Sequence, residues 1–173
     1  MTHILTFAFT HQKKPNISAN LVIKLNGVDT FIIDCTTNEL GIDNTQDLLN
    51  KIKKTYYSYI LGVGIYTSKK SKVKFEKTAK NKFRNDLIVK KAPDSYDISE
   101  FLSVPGNIGN IIESHKMGNS WCNMTSYKIK HTLVEYEIPT ENGFVHIPNL
   151  EDSLDEYTKI IQNIVNHLNH KFP

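Results

Sequence analysis

SYILGVGIY, residues 58–66, contains no charged side chain and is rich in β-branched and aromatic residues. An unbroken apolar run of this length reads as a strand buried on both faces, as in a parallel sheet covered by helices on each side. Upstream, TFIIDC at 30–35 has the same character. The segment between the two carries a helical pattern: Asp43 opens it, Gln46 follows at capping-box spacing, and Leu48, Leu49 and Ile52 share one face. Further back, HILTFAF at 3–9 reads as a first strand, and ISANLVIKL at 17–25 as a short helix stopped by Asn26–Gly27. Strand, helix, strand, helix, strand at this spacing indicates βαβ units. The expected fold class is α/β, a three-layer α/β/α arrangement around a mostly parallel, twisted sheet.

Downstream of residue 66 the rhythm breaks. Residues 67–84 hold seven lysines and Arg84 against one acid, Glu76, and Val73 and Phe75 alternate as in a strand. This stretch is expected to be an extended or antiparallel excursion, followed by an irregular surface loop at 85–97. Polar and apolar spacing predicts a helix over 106–115 and a second one directly after Cys122. GFVHIP at 143–148 reads as a short strand ended by Pro148. The final helix has Ser153 and Glu156 at capping-box spacing, with Leu154, Tyr157, Ile161, Ile164 and Leu168 recurring on one face. No repeat or low-complexity linker divides the chain, so residues 1–173 are expected to form one domain.

Composition narrows the function classes. The net charge is +3, supplied by lysine, since Arg84 is the only arginine. Eight basic residues in the 69–84 stretch could contact phosphates, but without an aromatic ladder or recognition motif no nucleic-acid partner is expected. No apolar run reaches the roughly 18 residues that span a bilayer, so no membrane partner is expected. The start of the chain lacks a basic segment and cleavage site, which points to a reduced compartment without a Cys35–Cys122 disulfide.

Three residues invite chemistry. Cys122, in GNSWCN, precedes a helical pattern, and a thiol at a helix N-terminus feels the positive end of the macrodipole, which favours the thiolate. Backbone N–H groups there can also hold an oxyanion. A buried free cysteine is ordinarily just a small hydrophobe. Cys35, inside an apolar strand, fits that bland description better. His146 ends the GFVHIP strand, where α/β sheets gather functional groups, although a hydrogen-bonded sheet-edge histidine would look the same. Glu76 among lysines reads by charge pattern alone as a solvated strand residue. No histidine and carboxylate spacing suggests a metal.

The three positions together carry a resemblance. Glu76-Lys-Thr-Ala79-Lys-Asn81 is similar to the E-x-x-A-x-N segment of pyroglutamyl peptidase type I, the pyrrolidone-carboxyl peptidases. Gly118-Asn-Ser-Trp121-Cys122-Asn123 resembles the family's G-T-Y-V-C-N nucleophile motif, with Tyr127 matching a tyrosine shortly after it. Gly143-Phe-Val-His146-Ile-Pro148 resembles its G-F-I-H-V-P motif, followed by an acidic loop and a final amphipathic helix. The order of the motifs is the family's, and the likeness extends over almost the whole chain.

The resemblance implies a phosphorylase/hydrolase-like fold and a cysteine exopeptidase that removes N-terminal pyroglutamate from peptides. Cys122 would be the nucleophile, His146 the base and Glu76 its orienting acid. It implies no cofactor, a cytoplasmic location, an N-terminally blocked peptide as substrate, and a homodimer or homotetramer. Arg84 is the only arginine that could match the one the family places near its oxyanion site. Two family loops differ. The aromatic G-F-x-P-F-G-G loop is replaced by Phe7-Ala-Phe9-Thr-His-Gln, where Phe9 is a pocket or core candidate, and the G-Q-A-G-G-R turn reads Gly64-Ile-Tyr-Thr-Ser-Lys-Lys. Trp121 is likewise a pocket or core candidate. A cysteine hydrolase acting on another amide, or a binding protein that keeps the fold without catalysis, are the alternatives.

Overall fold

The computed structural model describes residues 4–11, 14–35, 45–67, 72–100, 102 and 111–172. A strand Ile4–His11 (β1) is followed by the short Lys14–Pro15 (β2) and a helix Ile17–Val22 (α1), then by a strand Asp29–Ile33 (β3) and a helix Thr45–Lys54 (α2). SYILGVGIY becomes the strand Tyr59–Tyr66 (β4). Next come Val73–Glu76 (β5), Thr78–Lys80 (β6), Ser95–Asp97 (β7) and Ile111–Ser114 (β8). A helix Trp121–Glu135 (α3), a strand Glu141–Pro148 (β9) and a helix Leu154–Lys171 (α4) complete the order.

One sheet runs β3-β1-β4-β9-β5-β8, with β2 also paired to β1. Its β3, β1, β4 and β9 strands are mutually parallel, while β5 lies antiparallel to β9 and carries β8 parallel to itself. Alternation along the strands sorts the core into two layers. Ile4, Ala8, Leu61, Val63, Val145 and Ile147 pack under α1 and α4, while Leu5, Phe7, Phe9, Ile60 and Phe144 pack under α2 and α3. The expected α/β/α architecture with a mostly parallel sheet is what forms.

Local chemistry explains most of the elements. Asn16 caps α1, its side-chain oxygen accepting from the N–H groups of Ser18 and Ala19 at 3.0 and 3.1 Å. In α2 the expected face of Leu48, Leu49 and Ile52 is buried, whereas Asp43 lies outside the described residues and Gln46 bonds to Asn50. The excursion after β4 is the antiparallel β5. The expectation of a helix over 106–115 fails for its last residues, since Ile111–Ser114 is β8. Residues 106–110 lie outside those described. Gly106 and Gly109 weaken a helix, and the β-branched pair Ile111–Ile112 instead adds to the edge of β5. α4 buries the predicted Tyr157, Ile161, Ile164 and Leu168, but Ser153 makes no side-chain cap; a 3-10 turn at Glu151–Ser153 leads into the helix instead. Among the described residues no helix is long and apolar enough to cross a membrane.

Candidate active site

The strand β9 places His146 near its carboxyl end, on the sheet face covered by α3. Because β5 runs antiparallel to β9 with Glu76 opposite Phe144 and Lys74 opposite His146, Glu76 projects from that same face beside the imidazole. Its carboxylate Oε1 accepts a hydrogen bond from His146 Nδ1 at 2.7 Å. Both groups are buried, with 1% of Glu76 and 6% of His146 exposed. Far from a solvated charge among lysines, Glu76 is committed to this one partner, and its Oε2 has no hydrogen-bond partner among the described residues. A carboxylate only accepts, so Nδ1 carries the proton and a neutral ring presents its lone pair at Nε2.

Cys122 is the second residue of α3, inside the first turn rather than ahead of it. Gly118 at φ +89 turns the chain into this helix, a conformation that favours glycine. The sulfur is directed down onto β4: a Cβ on Gly64 would lie 2.8 Å from Cys122 Sγ, so only glycine leaves room for the thiol there. Gly64 stands level with His146 on the neighbouring strand. Adjacent strands lie about 4.8 Å apart, so the thiol and the imidazole occupy neighbouring lanes of the same face. No hydrogen bond joins the two among the described residues; the Glu76–His146 pair is formed while the thiol stands beside it.

Electrostatics at the sulfur differ from the expectation of a thiolate. Burial, and then the neighbouring Cys35 thiol, push the Cys122 thiol up to about 12, with the Glu76 carboxylate adding to the rise. Desolvation outweighs the helix dipole here: the residue is only partly buried, but its sulfur is turned inward onto Gly64. The thiol is therefore protonated at neutral pH. Cys35 lies just beyond β3, and the two cysteines form no disulfide.

The remaining candidates surround this centre unequally. Trp121 packs on Phe83 with ring centroids 4.7 Å apart, and both are partly buried at the start of α3. Arg84, at φ +54, is tied by its backbone to the turn before α3: its N–H donates to the Asn119 carbonyl and its carbonyl accepts from Asn119 Nδ2, each at 2.8 Å. Its guanidinium lies 5.2 Å from the Phe83 ring. Phe9 is 5% exposed and belongs to an aromatic core with Phe7 and Phe144.

Two asparagines carry more of the architecture than sequence reading assigned them, although both stand within the quoted motifs. Asn123, fully buried, accepts from the Lys80 N–H at 2.8 Å and donates to the Lys80 and Lys82 carbonyls at 2.9 and 2.7 Å. Asn81 accepts from the N–H groups of Ile88 and Val89 and donates to the Val89 carbonyl. The segment that follows Glu76 is thus stapled to the turn that begins with Cys122. Phe83 and Tyr66 had no motif to mark them. Among the described residues no group of histidines, cysteines and carboxylates could hold a metal ion.

No protein-family model matches the sequence, and no curated protein does. Solved structures do. A point variant of the pyrrolidone carboxyl peptidase of Pyrococcus furiosus superposes with a TM-score of 0.80 at 14% identity, over 98% of this chain and 99% of that one. The pyroglutamyl peptidase I of Bacillus amyloliquefaciens gives 0.77 at 18% identity, over 94% of each chain, and a second structure of it 0.76 at 19%. This chain shares, over nearly its whole length, the fold of the pyroglutamyl peptidase I structures.

Proposed function

We propose that the protein is a cysteine peptidase that hydrolyses the amide bond after an N-terminal pyroglutamyl residue, with Cys122, His146 and Glu76 as its triad. The observation that carries this reading is the buried Glu76–His146 hydrogen bond set one strand away from a thiol that rests on Gly64. A buried carboxylate that fixes one tautomer of a histidine, beside a protonated nucleophile, is the arrangement general-base activation needs.

In the reaction His146 Nε2 takes the Cys122 proton as the sulfur adds to the scissile carbonyl carbon. The resulting oxyanion is stabilised by N–H groups at the start of α3, where the helix ladder begins only with the Met124 N–H bonded to the Ser120 carbonyl. The imidazolium, stabilised by Glu76, then protonates the leaving amine as the C–N bond breaks. Water, deprotonated by His146, hydrolyses the thioester and restores the thiol. The aromatic pair Phe83–Trp121 stands beside the nucleophile as an apolar wall for the acyl ring, and Arg84 is the remaining candidate near the oxyanion.

The test is steady-state hydrolysis of matched N-terminal pyroglutamyl and prolyl aminomethylcoumarin substrates. The pyroglutamyl substrate should be turned over and the prolyl one rejected by roughly 10⁴-fold, because proline lacks the lactam carbonyl and brings an uncompensated ammonium. Comparable turnover of both would leave a cysteine hydrolase with another acyl preference. Turnover of neither would favour a binding protein on this fold.

A further inference from the structure

A row of side chains crosses the α3 face of the sheet in register. Gly64 on β4, beneath the Cys122 sulfur, is level with His146 on β9, and His146 is level with Lys74 on β5. Thiol, imidazole and ammonium therefore follow one another across three adjacent strands. Within the basic 67–84 stretch Lys74 is distinctive, because the others described there are placed differently: Lys77, for example, pairs with Glu113 and the Ser99 carbonyl. Lys74 Nζ lies 3.8 Å from the centroid of the Tyr66 ring. That ring packs edge-on against His146, centroids 6.2 Å apart, and is held by its hydroxyl donating to the Lys72 carbonyl. Both Lys74 and Tyr66 are partly buried. Among the described residues no carboxylate pairs with Lys74, and Glu76, on the same face of β5, is engaged by His146.

We propose that Lys74, seated on Tyr66, binds a carboxylate on the leaving-group side of the substrate, so that the preferred substrates are short ones whose leaving amine is a free amino acid. The proposal rests on the peptidase reading for its orientation. His146 has to reach the leaving nitrogen to protonate it, so the leaving residue lies toward the imidazole and away from the acyl wall at Phe83 and Trp121. A free amino acid carries its α-carboxylate one carbon beyond that nitrogen, on the side where the next strand holds the ammonium. An amide or arylamide offers nothing for this cation to bind. Holding the ammonium over an aromatic face restricts its rotamers in advance, which lowers the entropic cost of meeting an anion.

Calorimetric binding to the Cys122→Ser variant, which retains the side-chain size at the nucleophile, tests the subsite without turnover. The probes are pyroglutamyl-alanine and its C-terminal amide, with and without a second Lys74→Gln substitution. The acid should bind about tenfold more tightly than the amide, as a charge-assisted contact at a half-exposed site allows. That preference should disappear in Lys74→Gln, return largely in Lys74→Arg, and shrink as salt is raised. Equal affinity for acid and amide, a preference that survives Lys74→Gln, or binding of neither probe overturns the subsite. An acid preference that depends on Lys74, found together with a wild-type protein that turns over no substrate, would retain the subsite and remove the peptidase reading. Turnover with equal binding would do the reverse.

Discussion

At the scale of single residues the decisive balance is between the helix dipole and desolvation at Cys122. A dipole at a surface helix start is worth a fraction of a kcal/mol to about 2 kcal/mol, whereas burying a charged group shifts its titration by several units. Cys122 obeys the larger effect, and its thiol is pushed up to about 12. The upward direction means that the proton stays on sulfur below that value, so the thiolate fraction rises about tenfold per pH unit across the neutral range. Alkylation of Cys122 by iodoacetamide, followed by peptide mass mapping, should accordingly keep accelerating from pH 6 through pH 9. A rate that has already levelled off by about pH 7 would instead mean a preformed thiolate–imidazolium pair. The sequence could place the cysteine at a helix start; it could not show which way the sulfur points. The clue was present in Gly64, whose missing side chain makes the space, but the reason for that glycine emerges only when β4 and α3 meet.

Among elements, the antiparallel strand β5 and the start of α3 do most to assemble the site. The lysine-rich stretch was legible as a break in the parallel pattern, and its direction follows from the pairing with β9 that turns Glu76 toward His146. Charge pattern alone gave Glu76 a solvated role, because periodicity reports exposure only when neighbours on the other strand are known. β8 escaped for a related reason: a short edge strand has too few residues to distinguish its period from that of a helix. The staple between these elements is Asn123, whose side-chain amide serves three backbone groups of the segment after Glu76. Asn123→Ala leaves buried backbone groups unpaired and should cost about 2–4 kcal/mol of stability. Urea denaturation would measure it, and a loss below about 0.5 kcal/mol would mean that water or rearrangement replaces the amide.

For the whole molecule, the α/β/α architecture was readable from a few apolar runs and two amphipathic helices, because burial on both faces leaves a parallel strand with no alternation to misread. SYILGVGIY supplies the buried middle of the sheet and the α4 face one covering layer, whereas TFIIDC becomes the half-buried edge strand β3, which pairs only with β1. Less legible was the convergence of the motifs, since Glu76, Cys122 and His146 are brought together by strand order and not by spacing in the chain. At 14–19% identity to the solved structures, the shared fold leaves the chemistry to be decided by these side chains. The proposed reaction turns on acylation of the Cys122 sulfur with His146 as its base. Rapid quenching of the protein with an activated pyroglutamyl ester, followed by mass spectrometry of its peptides, reads this directly. One pyroglutamyl group is expected on the Cys122 peptide of the wild-type protein, with strongly reduced labelling in His146→Gln and none in Cys122→Ala. Labelling on Cys35 instead, or labelling of Cys122 that is indifferent to His146, would contradict it.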